Sequence, residues 1–398
     1  MESKTRIKGN VHYVGVNDRN KHRFEGMWPL PYGVSYNSYL IDDEMVALVD
    51  TVDICYFEVY LRKIKQVIGE RPINYLIINH MEPDHSGSIR LIKQHYPGII
   101  IVGNKQTFGM IEGFYGVTGE QYLVKEGDFL ALGHHKLRFY MTPMVHWPET
   151  MMTFDETDGV LFSGDGFGCF GTVDGGFLDT RINVDKYWGE MVRYYSNIVG
   201  KYGSPVQKAL QKLGGLPISA ICSTHGPVWT ENIAKVIGIY DRLSRYDADE
   251  GVVIAYGSMY GNTEQMAEAI AEELSAQGVK NIVMHNVTKS HPSYIIADIF
   301  RYKGLIIGSP TYSNQIFPEV EALLSKILLR EVKGRYLGYF GSFTWAGAAV
   351  KRLAEFAEKS KFELVGDPVE MKQAMKDLTY TQCENLARAM ADRLKKDR

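Results

Sequence analysis

The chain has 398 residues, 45% of them hydrophobic, and a formal charge of −3; that length exceeds what one hydrophobic core usually supports and predicts two domains. No basic block or aromatic-interleaved run of Lys and Arg is present, which excludes nucleic acid as a partner class. No signal-peptide core and no run of about 18 apolar residues occurs, so the expectation is a cytoplasmic protein with no membrane partner.

From residue 10 to about residue 235, short apolar runs such as "VALVDT", "YLIINH", "GIIIVG", "GVLFSGD" and "AICSTHG" are broken by Gly, Pro, Asn and Asp, with helical stretches such as "YFEVYLRKIKQVIG" between them. That pattern predicts a mixed sheet covered by helices. One run ends in "NHMEPDHSGS", residues 79–88, which sets two histidines and two carboxylates within six positions. Three later strand ends behave alike: His146 follows "FYMTPMV", Asp165 follows "GVLFS", and His225 lies in "THG" after "AICS". Loops just past the C-terminal ends of strands are where sites on such sheets collect, so these positions form one candidate site.

Its members are His80, Glu82, Asp84, His85, His146, Asp165 and His225. Taken singly, His146 and His225 read equally as core or turn histidines, and Asp165 before Gly as a turn residue. The cluster at 80–85 does not, because carboxylates and imidazoles crowded at a strand end repel and desolvate one another without a cation. The four cysteines, Cys55, Cys169, Cys222 and Cys383, form no C-x-x-C pair, which leaves nitrogen and oxygen as ligands and iron, zinc or manganese as the metals. Seven ligands are too many for one tetrahedral ion; two ions about 3.5–4 Å apart, with one carboxylate bridging, would use them all. The run "GDGFGCFGTVDGG" lacks the spacing of a dinucleotide loop, and its glycines are read as bends beside Asp165.

"HMEPDHSG", "PMVHWPET", "FSGDGFG" and "STHGPVW" resemble the metal-ligand segments of the metallo-β-lactamase fold, in the variant found in flavodiiron proteins. Most hydrolases of that fold carry H-x-H-x-D-H, and Glu82 here replaces the second histidine with a hard oxygen ligand that suits redox iron better than hydrolytic zinc. The resemblance implies that His80, Glu82 and His146 bind one iron, Asp84, His85 and His225 the other, and that Asp165 bridges them. It also implies that His22 and Tyr195 line the pocket as catalytic residues, with Phe24 and Tyr194 as the alternatives in the same stretches.

The polar segment "DRLSRYDADE", 241–250, reads as a linker, dividing the chain into 1–247 and 248–398. After it, strands and helices alternate, which predicts a parallel doubly wound sheet. In "VVIAYGSMYGNTEQMAEAI" a strand, a loop of small and hydroxylated residues and a helix starting near Thr263 would aim backbone N–H groups and the helix's positive end at a phosphate. The loop, Ser258, Met259, Tyr260, Gly261, Asn262 and Thr263, resembles the flavodoxin phosphate loop, usually T-x-T-G-N-T, with two threonines replaced. Pro310, Thr311, Tyr312, Ser313 and Asn314 at one later strand end, and Ser342, Phe343, Thr344, Trp345 and Gly347 at another, sit where flavodoxin loops embrace the flavin ring, with Tyr312 and Trp345 read as stacking residues.

The whole chain therefore resembles a flavodiiron protein of the α/β class: an N-terminal metallo-β-lactamase-like αββα sandwich, then a flavodoxin-like sheet binding FMN, with no added rubredoxin or flavin-reductase module. The implied activity is reduction of nitric oxide to nitrous oxide, of dioxygen to water, or of both. The implied partners are a rubredoxin, or an F420-dependent donor, and further copies of the chain in a head-to-tail homodimer or a homotetramer. Two other classes remain on the sequence: a zinc hydrolase fused to a flavodoxin, which would carry zinc and no iron, and an electron carrier with a decayed first domain, which would lack a ligand.

Overall fold

The apolar runs of the first half of the chain pair into two sheets, described with the rest of residues 4–397 by a computed structural model. The first sheet holds, in chain and spatial order, β1 (Arg6–Lys8), β2 (Val11–Tyr13), β3 (Tyr39–Ile41), β4 (Ala47–Val49), β5 (Tyr75–Ile77), β6 (Ile100–Gly103) and β7 (Gln121–Leu123). Pairings up to β4 are antiparallel and those beyond it parallel. The second sheet follows with β8 (Phe129–Ala131), β9 (Lys136–Met141), β10 (Met151–Asp155), β11 (Val160–Gly164) and β12 (Ala220–Ser223), antiparallel except between β11 and β12. Tyr39, Val49, Ile77 and Val102 of the first sheet share one core with Leu137, Phe139, Phe162 and Cys222 of the second. Helices such as Phe57–Ile68 and Gly203–Leu213 bury one apolar stripe each and complete an αββα sandwich.

The second half forms β13 (Asp249–Tyr256), β14 (Ile282–Asn286), β15 (Tyr302–Tyr312), β16 (Tyr336–Phe343), β17 (Glu363–Leu364) and β18 (Val369–Lys372). All pair in parallel in the order β14-β13-β15-β16, with both β17 and β18 against β16. The helices Asn262–Ala276, Pro292–Arg301, Pro318–Arg330 and Ala349–Ser360 make the crossovers. Because the chain reverses direction across the sheet at β13, the C-terminal ends of β13 and β15 flank the crevice where open sheets of this kind take ligands.

The chain divides into two compact units: residues up to Tyr195 with Tyr202–Ser244, and Ser196–Lys201 with Arg245 onward. The segment read as a linker is mostly ordered structure. Its start completes the helix Ile233–Ser244, which buries Leu243, and its end opens β13. Among the described residues no helix is long and apolar enough to cross a membrane.

The loop after β12 admits little change. Gly226 has φ +82°, and a Cβ added there would lie 2.2 Å from Cys169 Sγ. Gly226→Ala should cost about 1–3 kcal/mol in overpacking, with roughly 1–2 kcal/mol more for the left-handed backbone. A lowered urea midpoint checks this; an unchanged one would mean that the loop repacks freely.

Candidate functional site

Each predicted ligand of the first unit lies just beyond a strand. His80 and Glu82 follow β5, Asp84 and His85 occupy the short turn Pro83–Ser86, and His146 lies between β9 and β10. Asp165 follows β11, with Gly164 before it at φ +55°, and His225 follows β12. All seven side chains are buried and come together at one point.

Asp165 stands at the centre. Its Oδ2 lies 3.0 Å from His146 Nε2 and 3.7 Å from His80 Nε2, while its Oδ1 lies 3.2 Å from His85 Nε2 and 3.6 Å from His225 Nε2. Glu82 Oε2 joins the first side, 3.1 Å from His146 and 3.8 Å from His80. Asp84 joins the second, 3.4 Å from His225 through Oδ2 and 3.7 Å from His85 through Oδ1. The cluster is thus two groups of three side chains sharing one carboxylate.

These residues fit a pair of metal ions. Both oxygens of Asp84, both ring nitrogens of His85 and Nε2 of His225 are buried without a hydrogen-bond partner, a costly state unless a cation satisfies them. His80 and His146 turn their Nε2 atoms toward each other at 3.4 Å, which is favourable only with a proton or cation between them. Burial alone would strip protons from these rings, yet Asp84 and Asp165 push His85 up to about 10, and Asp165 and Glu82 hold His146 well above its ordinary value. Against the same burial, His85 and His146 hold Asp165 well below the usual carboxylate range, while burial and the nearby Glu82 push Asp84 up. The site attracts positive charge, which metal cations supply in place of protons.

A further group, His135, Asp155 and Asp158, is close enough to hold an ion. It differs in being satisfied by the protein itself: His135 Nδ1 bonds Asp155 Oδ2 at 2.9 Å, and Asp155 Oδ1 accepts the Thr157 amide at 3.0 Å.

Around the seven clustered side chains lies a layer that the sequence did not point to. Glu149 Oε1 is 2.6 Å from His80 Nδ1, the Ser35 carbonyl is 2.8 Å from His225 Nδ1, and the Thr224 hydroxyl donates to Asp165. The one available signal was Glu149 itself, a carboxylate three residues after His146 at the entrance to the wholly buried β10.

Two expected pocket residues lie elsewhere. His22 is exposed, because the hairpin it enters buries its apolar members, Phe24 and Trp28, and leaves the imidazole in water. Tyr195 packs on Tyr240 with ring centroids 5.0 Å apart. It follows Tyr194 at the end of the helix Asp185–Tyr194, and successive helical side chains diverge by about 100°. Phe24 and Tyr194 take their places, with rings 5.3 and 5.8 Å from His225. Tyr36 is 6.0 Å from the same ring.

In the second unit the three predicted loops follow β13, β15 and β16. Ser258 Oγ accepts the amides of Gly261 at 3.1 Å and Glu264 at 3.4 Å, leaving the amides of Asn262 and Thr263 without a protein partner at the start of a 15-residue helix. Those donors and the helix's positive end fit a phosphate. Thr263 and Ser342 bond each other at 2.8 Å, and Thr311 Oγ1 accepts the amides of Ala348 and Ala349. Pro310 is buried in β15. Ser313 and Asn314, at φ +48° and +57°, form the two-residue turn to the short strand Gln315–Ile316. Tyr260 and Trp345 are 90% and 80% exposed, and Met259, Tyr312 and Thr344 are exposed too, whereas Phe343 is half-buried. Gly347 lies against Glu370, whose Oε1 would be 2.5 Å from an added Cβ.

Comparison with known proteins gives the same two-part division. Residues 34–226 match the ODP family beta lactamase model and residues 254–385 the flavodoxin model. The anaerobic nitric oxide reductase flavorubredoxin of Vibrio vulnificus (strain YJ016) is 32% identical over 363 residues, 90% of this chain and 73% of that relative. Its counterpart in Escherichia coli O1:K1 / APEC is 31% identical over 364 residues, 90% and 76%. Among solved structures, rubredoxin oxygen:oxidoreductase from the anaerobe Desulfovibrio gigas superposes with a TM-score of 0.93 at 31% identity, covering 97% of both chains. The flavodiiron protein from Giardia intestinalis gives 0.91 at 26% identity and covers 100% of both.

Metal analysis of the purified protein should return about two transition-metal ions per chain. Asp165→Ala should retain fewer than about one, since both groups lose a shared ligand. Wild-type protein free of metal would mean that the cluster is a hydrogen-bond network.

Proposed function

We propose that this chain, which belongs to the flavodiiron proteins, is an oxidoreductase that reduces nitric oxide to nitrous oxide, dioxygen to water, or both. The observation that carries this reading is the division of buried ligands between the two oxygens of Asp165. His80, Glu82 and His146 would hold one iron and Asp84, His85 and His225 the other, with Asp165 shared between the two groups. When bound, the non-haem di-iron centre supplies redox chemistry at the diatomic and FMN supplies its electrons. Glu82, a carboxylate where most hydrolases of the fold have histidine, separates this reading from that of a zinc hydrolase.

The chain's own residues admit the substrate and orient it. A cavity of about 700 Å³ reaches Glu82 and Asp84; Phe24, Ile54, Leu91 and Phe114 line it on its apolar side, and Lys21, Glu25, Asp53 and Arg90 line the rest. The hydroxyls of Tyr36 and Tyr194 are buried without a protein partner, and burial with the neighbouring carboxylates keeps both protonated. They therefore remain O–H donors beside His225, in the role the sequence gave to His22 and Tyr195. In the second unit the amides of Asn262 and Thr263 would take the FMN phosphate, and the exposed rings of Tyr312 and Trp345 would be the ones to stack on the flavin.

A rubredoxin-type donor is the electron source, in keeping with the names of the flavorubredoxin and rubredoxin oxygen:oxidoreductase relatives. A head-to-tail homodimer in the cytoplasm, alone or paired into a tetramer, is the assembly in which we place the enzyme.

The test is turnover of the reduced, iron-analysed protein with NO and with O2 in parallel under anaerobic handling and matched donor flux. At least one substrate should be consumed, with nitrous oxide as the product from NO, and Asp165→Ala should abolish turnover while FMN stays bound. Sustained turnover by that variant, or zinc in the site and no turnover of either gas, would sink the assignment.

A further inference from the structure

The two sides of the metal cluster are not backed alike. Each has two imidazoles, one carboxylate of its own and one oxygen of Asp165. The difference lies behind the rings. His80 Nδ1 is 2.6 Å from Glu149 Oε1, and the same oxygen accepts the Met81 amide at 2.9 Å. Glu149 is wholly buried, and its Oε2 has no partner, so its charge is met only through Oε1, by His80 and the Met81 amide. On the other side His225 Nδ1 meets only the neutral Ser35 carbonyl at 2.8 Å, and His85 Nδ1 has no partner at all.

A carboxylate behind a ligating imidazole fixes the ring's tautomer and raises its strength as a donor. A carbonyl does so less, and an unsupported ring gains nothing. We propose that Glu149 makes the position formed by His80, Glu82 and His146 the tighter of the two iron positions, so that the pair empties in order, the ion held by Asp84, His85 and His225 leaving first. Glu149 touches neither iron nor substrate; it is a positioning residue that acts through His80. This inference rests on the di-iron reading above.

The test is release of iron from the full-length, FMN-loaded holoprotein into an excess of a ferrous chelator under anaerobic, reducing conditions. Wild-type protein should lose its iron in two phases of about one ion per chain each. Glu149→Gln keeps an oxygen acceptor for the Met81 amide and removes the charge; it should speed the slow phase roughly 10–100-fold and leave the fast phase unchanged. Asp84→Asn should speed only the fast phase, which assigns that phase to its side of the cluster. A single phase in the wild type, an unchanged slow phase in Glu149→Gln, both phases accelerating together, or Asp84→Asn acting on the slow phase would each overturn the proposal. Holoprotein with fewer than about two irons per chain would instead remove the di-iron reading beneath it.

Discussion

A buried carboxylate shared between two pairs of imidazoles is the constraint on which the first unit depends. Asp165 is fully buried, and with Glu82 and Asp84 it gathers three carboxylates that repel one another where burial leaves little screening. Such a group persists only if cations offset it, since leaving buried anions unpaired costs far more than surface pairing could return. The protein does not provide those cations itself: no Lys or Arg contacts the three carboxylates through an ion pair among the described residues, and four imidazoles face them instead. The arrangement is complete when imidazole nitrogens and carboxylate oxygens turn together onto metal ions.

A constellation that gains its stability from a metal must be mounted on something that does not. The loop holding His80 is fixed by Asn79, whose amide and side chain bond Asp50 at 2.8 and 3.1 Å, whose Oδ1 accepts Thr153 Oγ1 at 2.8 Å, and whose carbonyl accepts the Met151 amide at 3.0 Å. The loop holding His225 is fixed by Asn37, whose Nδ2 donates to the carbonyls of Ser223 and Gly226 and whose amide donates to Thr224. These buried polar groups are satisfied by the protein itself, whereas both oxygens of Asp84, both ring nitrogens of His85 and Nε2 of His225 are not. Preorganisation of this kind places donors before the metal arrives, which is how a short loop after a strand can serve as a rigid ligand arm.

How far the sequence could be read followed from the same physics. The clustering of His80, Glu82, Asp84, His85, His146, Asp165 and His225 was legible because charge at the end of an apolar strand is anomalous, and four such anomalies on four strand ends must meet if the sheets stack. Tyr194 and Tyr195 could not be separated without knowing where the helix Asp185–Tyr194 ends and which face it buries, because one residue changes the direction of a side chain by about 100°. His22 and Phe24 pose a similar problem in a two-residue strand pairing, where burial of Phe24 and Trp28 decides the matter and no periodicity is long enough to show it. Glu149 was hidden differently. Its value lies in a contact 69 residues away along the chain, with His80, and its place three residues after His146 is the only local mark. The stretch read as a linker contains the division between the two units, at Ser244 and Arg245, but its polar composition hid that it ends one amphipathic helix and begins a strand.

The second unit shows how the loop after β13, Ser258 to Thr263, could take a phosphate while departing from the usual threonine-rich pattern. Its hydroxyls are largely engaged within the protein: Ser258 caps Gly261 and Glu264, Thr263 is joined to Ser342, and Thr311 takes the amides that open the helix Ala349–Ser360. They tie the three strand-end loops to one another and to their helices. What remains for an anion is the pair of amides at Asn262 and Thr263, reinforced by the helix behind them. Backbone donors are supplied by any residue, so the position of Tyr260 is released from the need for a short hydroxyl, and its ring stands in solvent with that of Trp345. A loop that binds through its main chain keeps its affinity for phosphate while its exposed side chains are free to meet a flat aromatic ligand or a redox partner.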